Sequence, residues 1–205
     1  GSGGQIDHDG TNRHSVGEVR VYFTTASWNS YFVVMNSDVS NVNYQQSSTA
    51  HVTQNVTIAA VGSTMNYFYA CPGSTTGSTV SATNCVANYI RWNAGAIVQT
   101  ELTVRNVSGI TSNVAATTVS NSQHSFLDST LTTQIYTSLT TASSGMTTVH
   151  NRTTVGYIYL YGTHVGGAAY ISDQCNASTT NMYAMYNAAT FTDAVFEVQR
   201  STVTS

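Results

Sequence analysis

The chain has 205 residues, 41% of them apolar but only 7% charged, with a net charge of −3 and no lysine among its six basic residues. Six dispersed arginines make no stripe that would displace phosphate counterions, no basic run addresses an anionic bilayer, and no apolar stretch reaches the about 18 residues of a spanning helix. Nucleic-acid binding and membrane insertion of the mature chain are therefore not expected. Solubility rests instead on Ser, Thr and Asn, a balance that suits dense packing of copies outside a cell more than a crowded cytosol.

In chain order, residues 1–17 are Gly-rich and polar and read as an extended N-terminal arm without the apolar core of a signal peptide. Within it IDHDGTNRH (6–14) gathers Asp7, His8, Asp9, Asn12 and His14. Its carboxylate and amide oxygens suit Ca²⁺, yet the glycine stands at the fourth place of the loop and no glutamate closes it, so a turn-rich solvated terminus is the simpler reading and no metal is expected. From residue 18 onward the hydrophobic period is two, the signature of strands. EVRVYF (18–23) places Val19, Val21 and Phe23 on one face; YFVVM (31–35) follows; AHVTQNVTIAAV (50–61) aligns Val52, Val56 and Ile58. MNYFYA (65–70), CVANYIRW (85–92), AIVQTELTVRNV (96–107), LTTQIYTSL (131–139), TVGYIYLYG (154–162), NMYAMY (181–186) and TFTDAVFEVQR (190–200) continue the series. Only 122–139, with Phe126, Leu127, Leu131 and Ile135, has any helical appeal, which its threonines lower.

The expectation is an all-β chain: a β-sandwich, Ig-like or jelly-roll-like, over 18–205, with possible subdivision near 108–113 or 141–148. No internal repeat stands out. With a single proline and no lysine, the strand edges lack their usual protection, so an edge completed by a strand from a neighbouring subunit is expected.

CPGSTTGSTVSATNC (71–85) holds the proline and two of the three cysteines. Nothing between Cys71 and Cys85 ligates metal, and the flanking strand candidates make a hairpin whose base a disulfide would staple, contributing about 3 kcal/mol. Cys175 is then left over. Four N-x-S/T sequons, at Asn55, Asn106, Asn151 and Asn176, permit glycosylation, though this composition produces about as many by chance. His51, His124, His150 and His164 are isolated in sequence and read as hydrogen-bonding residues. No nucleophile elbow, zinc-protease or phosphate-loop motif occurs, and Glu18, Glu101 and Glu197 sit on strands beside polar neighbours rather than as a facing pair. No enzyme and no cofactor are expected. Tyrosines are the strongest binding signal, above all Tyr157, Tyr159 and Tyr161, which suit core packing, a subunit interface or glycan contact.

In its charge-poor, Thr/Ser/Asn/Tyr-rich character and its polar arm before EVRVYF, the chain resembles subunits of archaeal extracellular threads and pili that assemble by donor-strand complementation. The resemblance implies a sandwich lacking one strand, completed by roughly residues 1–15 of the next subunit, and polymerisation head to tail. The expected function is thus a structural subunit of an extracellular filament or surface appendage, with itself as partner and a possible adhesive role toward surface glycans. The alternative is a viral capsid, spike or fibre domain that binds a glycan.

Overall fold

The computed structural model describes residues 4–6, 15–48, 50–139, 143–161, 163–166, 168–172, 176–183, 190–193 and 195–203. Every regular element among them is a strand and every strand pair is parallel. The architecture is a β-solenoid, not the expected β-sandwich. The chain winds in coils, so that each strand pairs with the equivalent strand of the preceding and following coil rather than with a neighbour in a hairpin.

Each coil has three sides. The short side is the nine-stranded sheet that includes Tyr31–Met35, Thr57–Val61, Thr79–Thr83, Glu101–Arg105, Gln123–Leu127 and Thr147–Asn151. The long side and the third side are carried together by strands such as Thr64–Thr76, Val86–Val98 and Ser108–Ser120. The first portion of Thr64–Thr76 stacks on Asp38–Gln46 and its last residues on Val52–Gln54, as in the pairing of Thr75 with Thr53, and Val86–Val98 and Ser108–Ser120 stack onward from it in turn.

Two corners per coil explain why the chain turns where it does. Asn55, Gly77, Gln99, Asn121 and Gly145 have positive φ, and Gly62, Asn84, Asn106, Asp128 and Arg152, each seven positions on, have it too. Asn, Asp and Gly tolerate this left-handed conformation best. The residue after each corner turns inward, and where it is Ser or Thr its hydroxyl satisfies two backbone groups at once. Ser78, Thr100, Ser122 and Ser129 donate to the carbonyl two residues back at 2.8–3.2 Å. The same hydroxyls accept from Val56, Ser78, Thr100 and Val107 backbone N–H groups of the preceding coil at 3.1–3.4 Å. Unpaired, those buried N–H groups would each cost about 1–3 kcal/mol. The Ser/Thr richness is therefore in part internal wiring.

These hydrogen bonds span 22 residues, the coil length in the middle of the chain. The absence of a repeat is thus corrected. NVTIAAVGST, GSTVSATNCV, QTELTVRNVS, NSQHSFLDST and GMTTVHNRTT, starting at 55, 77, 99, 121 and 145, occupy one structural position. They share corner residues and inward positions rather than identities. The helical appeal of 122–139 is also overturned: Gln123–Leu127 and Thr130–Leu139 are strands separated by a corner. The hairpin across 71–85 does not exist, since the strands before and after that segment run parallel in adjacent coils.

The core is a column of inward residues whose bulk shifts from wall to wall. At one level Trp92 and Ile90 from the long side meet a short side contributing Val80 and Ala82; further along, His124 and Phe126 from the short side occur where the long side supplies Ser112 and Thr137. Such alternation keeps the cross-section filled at native density. Of the N-terminal arm, Gly4–Ile6 adds in parallel to Phe32–Val34 of the same chain, and Ser15–Phe23 to Asp38–Gln46. Across 108–113, on the side facing Val86–Val98, the ladder pairs Ser108 and then Thr111, Ser112 and Asn113, skipping Gly109 and Ile110 at the bend.

Candidate binding face

The long side presents two columns of outward residues. One runs Glu18, Asn41, Tyr67, Tyr89, Thr111, Gln134, Tyr157; the next runs Arg20, Asn43, Tyr69, Arg91, Asn113, Tyr136, Tyr159. Parallel in-register stacking does this: residues far apart in sequence but at the same strand position fall about 4.8 Å apart. Tyr67 stacks on Tyr89 with centroids 4.9 Å apart and on Tyr69 at 5.1 Å, both nearly coplanar. Tyr157 lies 5.8 Å from Tyr159, which meets Tyr136 edge-on at 5.9 Å. Glu18 accepts from Asn43 Nδ2 at 2.9 Å and pairs with Arg20, which together hold its carboxyl below the ordinary range.

Where the long strands bend, Asn66 and Asn88 point outward beside this tyrosine stack. Asn88 Nδ2 donates to Asn66 Oδ1 at 3.0 Å. The bend leaves a shallow groove along the solenoid axis, passing Asp38, Thr64, Asn66, Asn88, Ser108 and Thr130. Sequence reasoning singled out Tyr157, Tyr159 and Tyr161. The first two are half-buried on this face, and the backbone of Tyr161 continues the same strand beside Ser138. It missed Tyr67, Tyr69, Tyr89 and Tyr136 as members of one surface, because only the coil period relates them.

The sequons divide by position. Asn55 and Asn106 are exposed corner residues in the left-handed conformation, and their Nδ2 atoms donate to Asn29 and Asn84 at 3.2 and 2.8 Å. A corner Asn, an inward residue and a Ser or Thr opening the next strand spell N-x-S/T by themselves, so these two sequons follow from the coil grammar. Asn151 ends a short-side strand and is half-buried; the backbone of Asn176 opens the strand Asn176–Tyr183.

No disulfide joins Cys71 to Cys85, which corrects the expected staple. Cys85 is buried behind a corner, level with Ser63 in the preceding coil, with Sγ donating to Thr83 O at 3.2 Å. Cys71 stands most of a strand length away, and burial pushes its thiol pKa up. Cys175 and the 7–14 cluster lie outside the described residues.

Two of the isolated histidines prove to be neighbours inside the core. His124 and His150 are each 1% exposed on successive short-side strands, with Phe126 between them: 4.4 Å from the His124 ring and stacked at 5.1 Å on His150. None of their four ring nitrogens has a hydrogen-bond partner. Burial lowers the His150 pKa to about 3, and burial with the nearby His150 lowers that of His124 well below the usual value. Among the described residues no three His, Cys, Asp or Glu side chains converge on a common point. The arrangement is thus a side-chain-patterned rod with a tyrosine and amide face, and neither family models, curated proteins nor solved structures yield a match to this chain.

Proposed function

We propose that the chain is a structural segment of an extracellular filament or surface appendage, which self-assembles by strand addition and offers an adhesive surface along its length. The observation that carries this reading is the stack of parallel strands, in which each coil pairs with the coils before and after it. In such a stack one end of a sheet is complementary to the other, so copies can dock head to tail, and a head-to-tail contact that does not close generates an open filament. Strand addition is therefore retained from the sequence reading, but as continuation of the coil rather than completion of a sandwich. A surface with only 7% charged residues opposes such docking weakly.

Electron microscopy of the purified chain over a concentration series tests this. Filaments with a cross-strand repeat of about 4.8 Å along their axis are expected. Placing proline in the terminal strand Gly4–Ile6 (Gln5→Pro) removes a ladder donor and should shorten or abolish them while leaving the rod folded. Dispersed particles at every concentration, or closed symmetric oligomers of the kind a viral fibre forms, would overturn the filament reading.

A further inference from the structure

We propose that the groove beside the tyrosine stack binds one extended chain of a neutral, linear polysaccharide, laid along the solenoid axis. This deepens the adhesive part of the preceding reading and rests on it for where such a polymer would be met.

The face can be read only through side chains. Its strands are paired on both edges by the coils before and after, so an incoming peptide finds no free ladder to extend. A folded protein partner would require a broad desolvated apolar centre, whereas here exposed Val86 and the partly exposed Ile110 stand among amides, hydroxyls and phenols. A polyanion would require a row of cations. The face carries Arg91, and Arg20 already paired with Glu18, while Asp38 sits in the groove itself. The charge pattern complements an uncharged ligand rich in hydroxyls.

The groups are also fixed before any ligand arrives. The Asn88–Asn66 hydrogen bond uses one donor and one lone pair of the two amides, so Asn66 keeps both N–H donors and Asn88 keeps its carbonyl oxygen. The mutual stacking of Tyr67, Tyr69 and Tyr89 holds three phenols in place, and little rotamer entropy remains to be lost on binding. Successive coils stand about 4.8 Å apart, so a polymer laid along the axis passes Ser40, Asn66, Asn88 and, beyond Ile110, Thr132 in turn, and a longer chain meets more of these donors and acceptors. A monosaccharide could use only one rung. The proposal therefore requires affinity to grow with chain length.

The test uses the full chain with cellulose, xylan, chitin and β-glucan particles in co-sedimentation, and with soluble oligosaccharides of increasing length in calorimetry; heparin and hyaluronate serve as anionic probes. At least one neutral polymer should be retained, with affinity rising from disaccharide to longer oligomers. Asn88→Ala and Tyr89→Ala should each weaken it by about tenfold, the loss of one or two hydrogen bonds per rung. Arg105→Ala, on the short side, should bind as the parent does, and circular dichroism and the melting temperature show whether each variant folds. Should Tyr89→Ala not fold, the milder Tyr89→Phe, which deletes only the hydroxyl, takes its place. No retention of any neutral polymer, retention of heparin or hyaluronate alone, length-independent affinity, or unchanged affinity in the folded groove variants would overturn the proposal. Filaments scored by microscopy on the same samples keep the two readings apart. Filaments that bind no glycan defeat only this inference, and glycan-binding particles that never assemble defeat only the assembly reading.

Discussion

Acid should weaken this solenoid at its middle coils, through His124 and His150. In the folded chain both rings are buried and neutral, the His150 pKa being lowered to about 3 and that of His124 held well below its usual value. In the unfolded chain each takes up a proton near pH 6.5. The unfolded state thus binds more protons between those limits, so stability is flat above about pH 7, declines as pH falls through 6.5, and keeps declining toward 3. At pH 5, about 1.5 units below the unfolded value, His150 with its folded value near 3 has lost about 2 kcal/mol of stabilisation at about 1.36 kcal/mol per unit, and His124 adds a loss of the same sign. That is a sizeable part of the about 5–15 kcal/mol of a typical domain's stability. The carboxylates do not explain such a loss. Glu18 and Asp128 have lowered values, Glu18 chiefly through Asn43 and Asp128 chiefly through Arg152, so their contributions fade only at more acidic pH. Urea unfolding from pH 8 to pH 4.5, read by circular dichroism, measures the slope directly. His124→Leu with His150→Phe should flatten it above pH 5 and leave stability at pH 8 equal or higher, because four unpartnered ring nitrogens leave the core with the two imidazoles. A parent protein with no slope between pH 6.5 and 5, or a double variant as acid-sensitive as the parent, would refute the reasoning.

Two further outcomes follow from the coil geometry. A Cβ at Gly109 would run into the Ala87 carbonyl of the preceding coil, so Gly109→Ala should cost about 1–3 kcal/mol, or several degrees of melting temperature for a chain of this size; Gly17→Ala, with open space around it, should change little. Alkylation of native protein under non-reducing conditions should find no Cys71–Cys85 bond, with Cys71 modified more slowly than an exposed thiol and Cys85 only after denaturation, as mass spectrometry of the peptides would show.

The strands themselves were legible one by one. Phe32 and Val34, Ile58, Leu102 and Val104 point inward as the alternation requires, and Val19 is buried as EVRVYF suggests. The candidate face was legible only as an abundance of tyrosine. Tyr157 and Tyr159 could be paired from one strand, but Tyr67 with Tyr89, or Tyr136 with Tyr159, meet only across coils. The repeat was hidden because its constant elements are a backbone conformation and a burial pattern. Asn, Gly, Gln, Asp and Arg all occupy the corners, and Ser, Thr, Val, Cys and Met all follow them. The early and late coils depart from the 22-residue period, with ladder partners such as Asn29 and Asn55 lying 26 residues apart, which blurs the register further.

By itself, then, the sequence determined the strand content, the inward set of most strands and the near-absence of charge, because alternation and composition are local properties. Whether those strands pair as hairpins in a sandwich or wind in parallel was beyond it, since both topologies bury the same alternate residues. The tertiary structure decided that through the corners. Left-handed residues seven positions apart, each backed by an inward residue that is often a hydroxyl bonded to the coil before, turn the chain forward onto itself instead of back. That choice parts Cys71 from Cys85, brings His124 and His150 together in the core, and gathers scattered tyrosines and asparagines into one face.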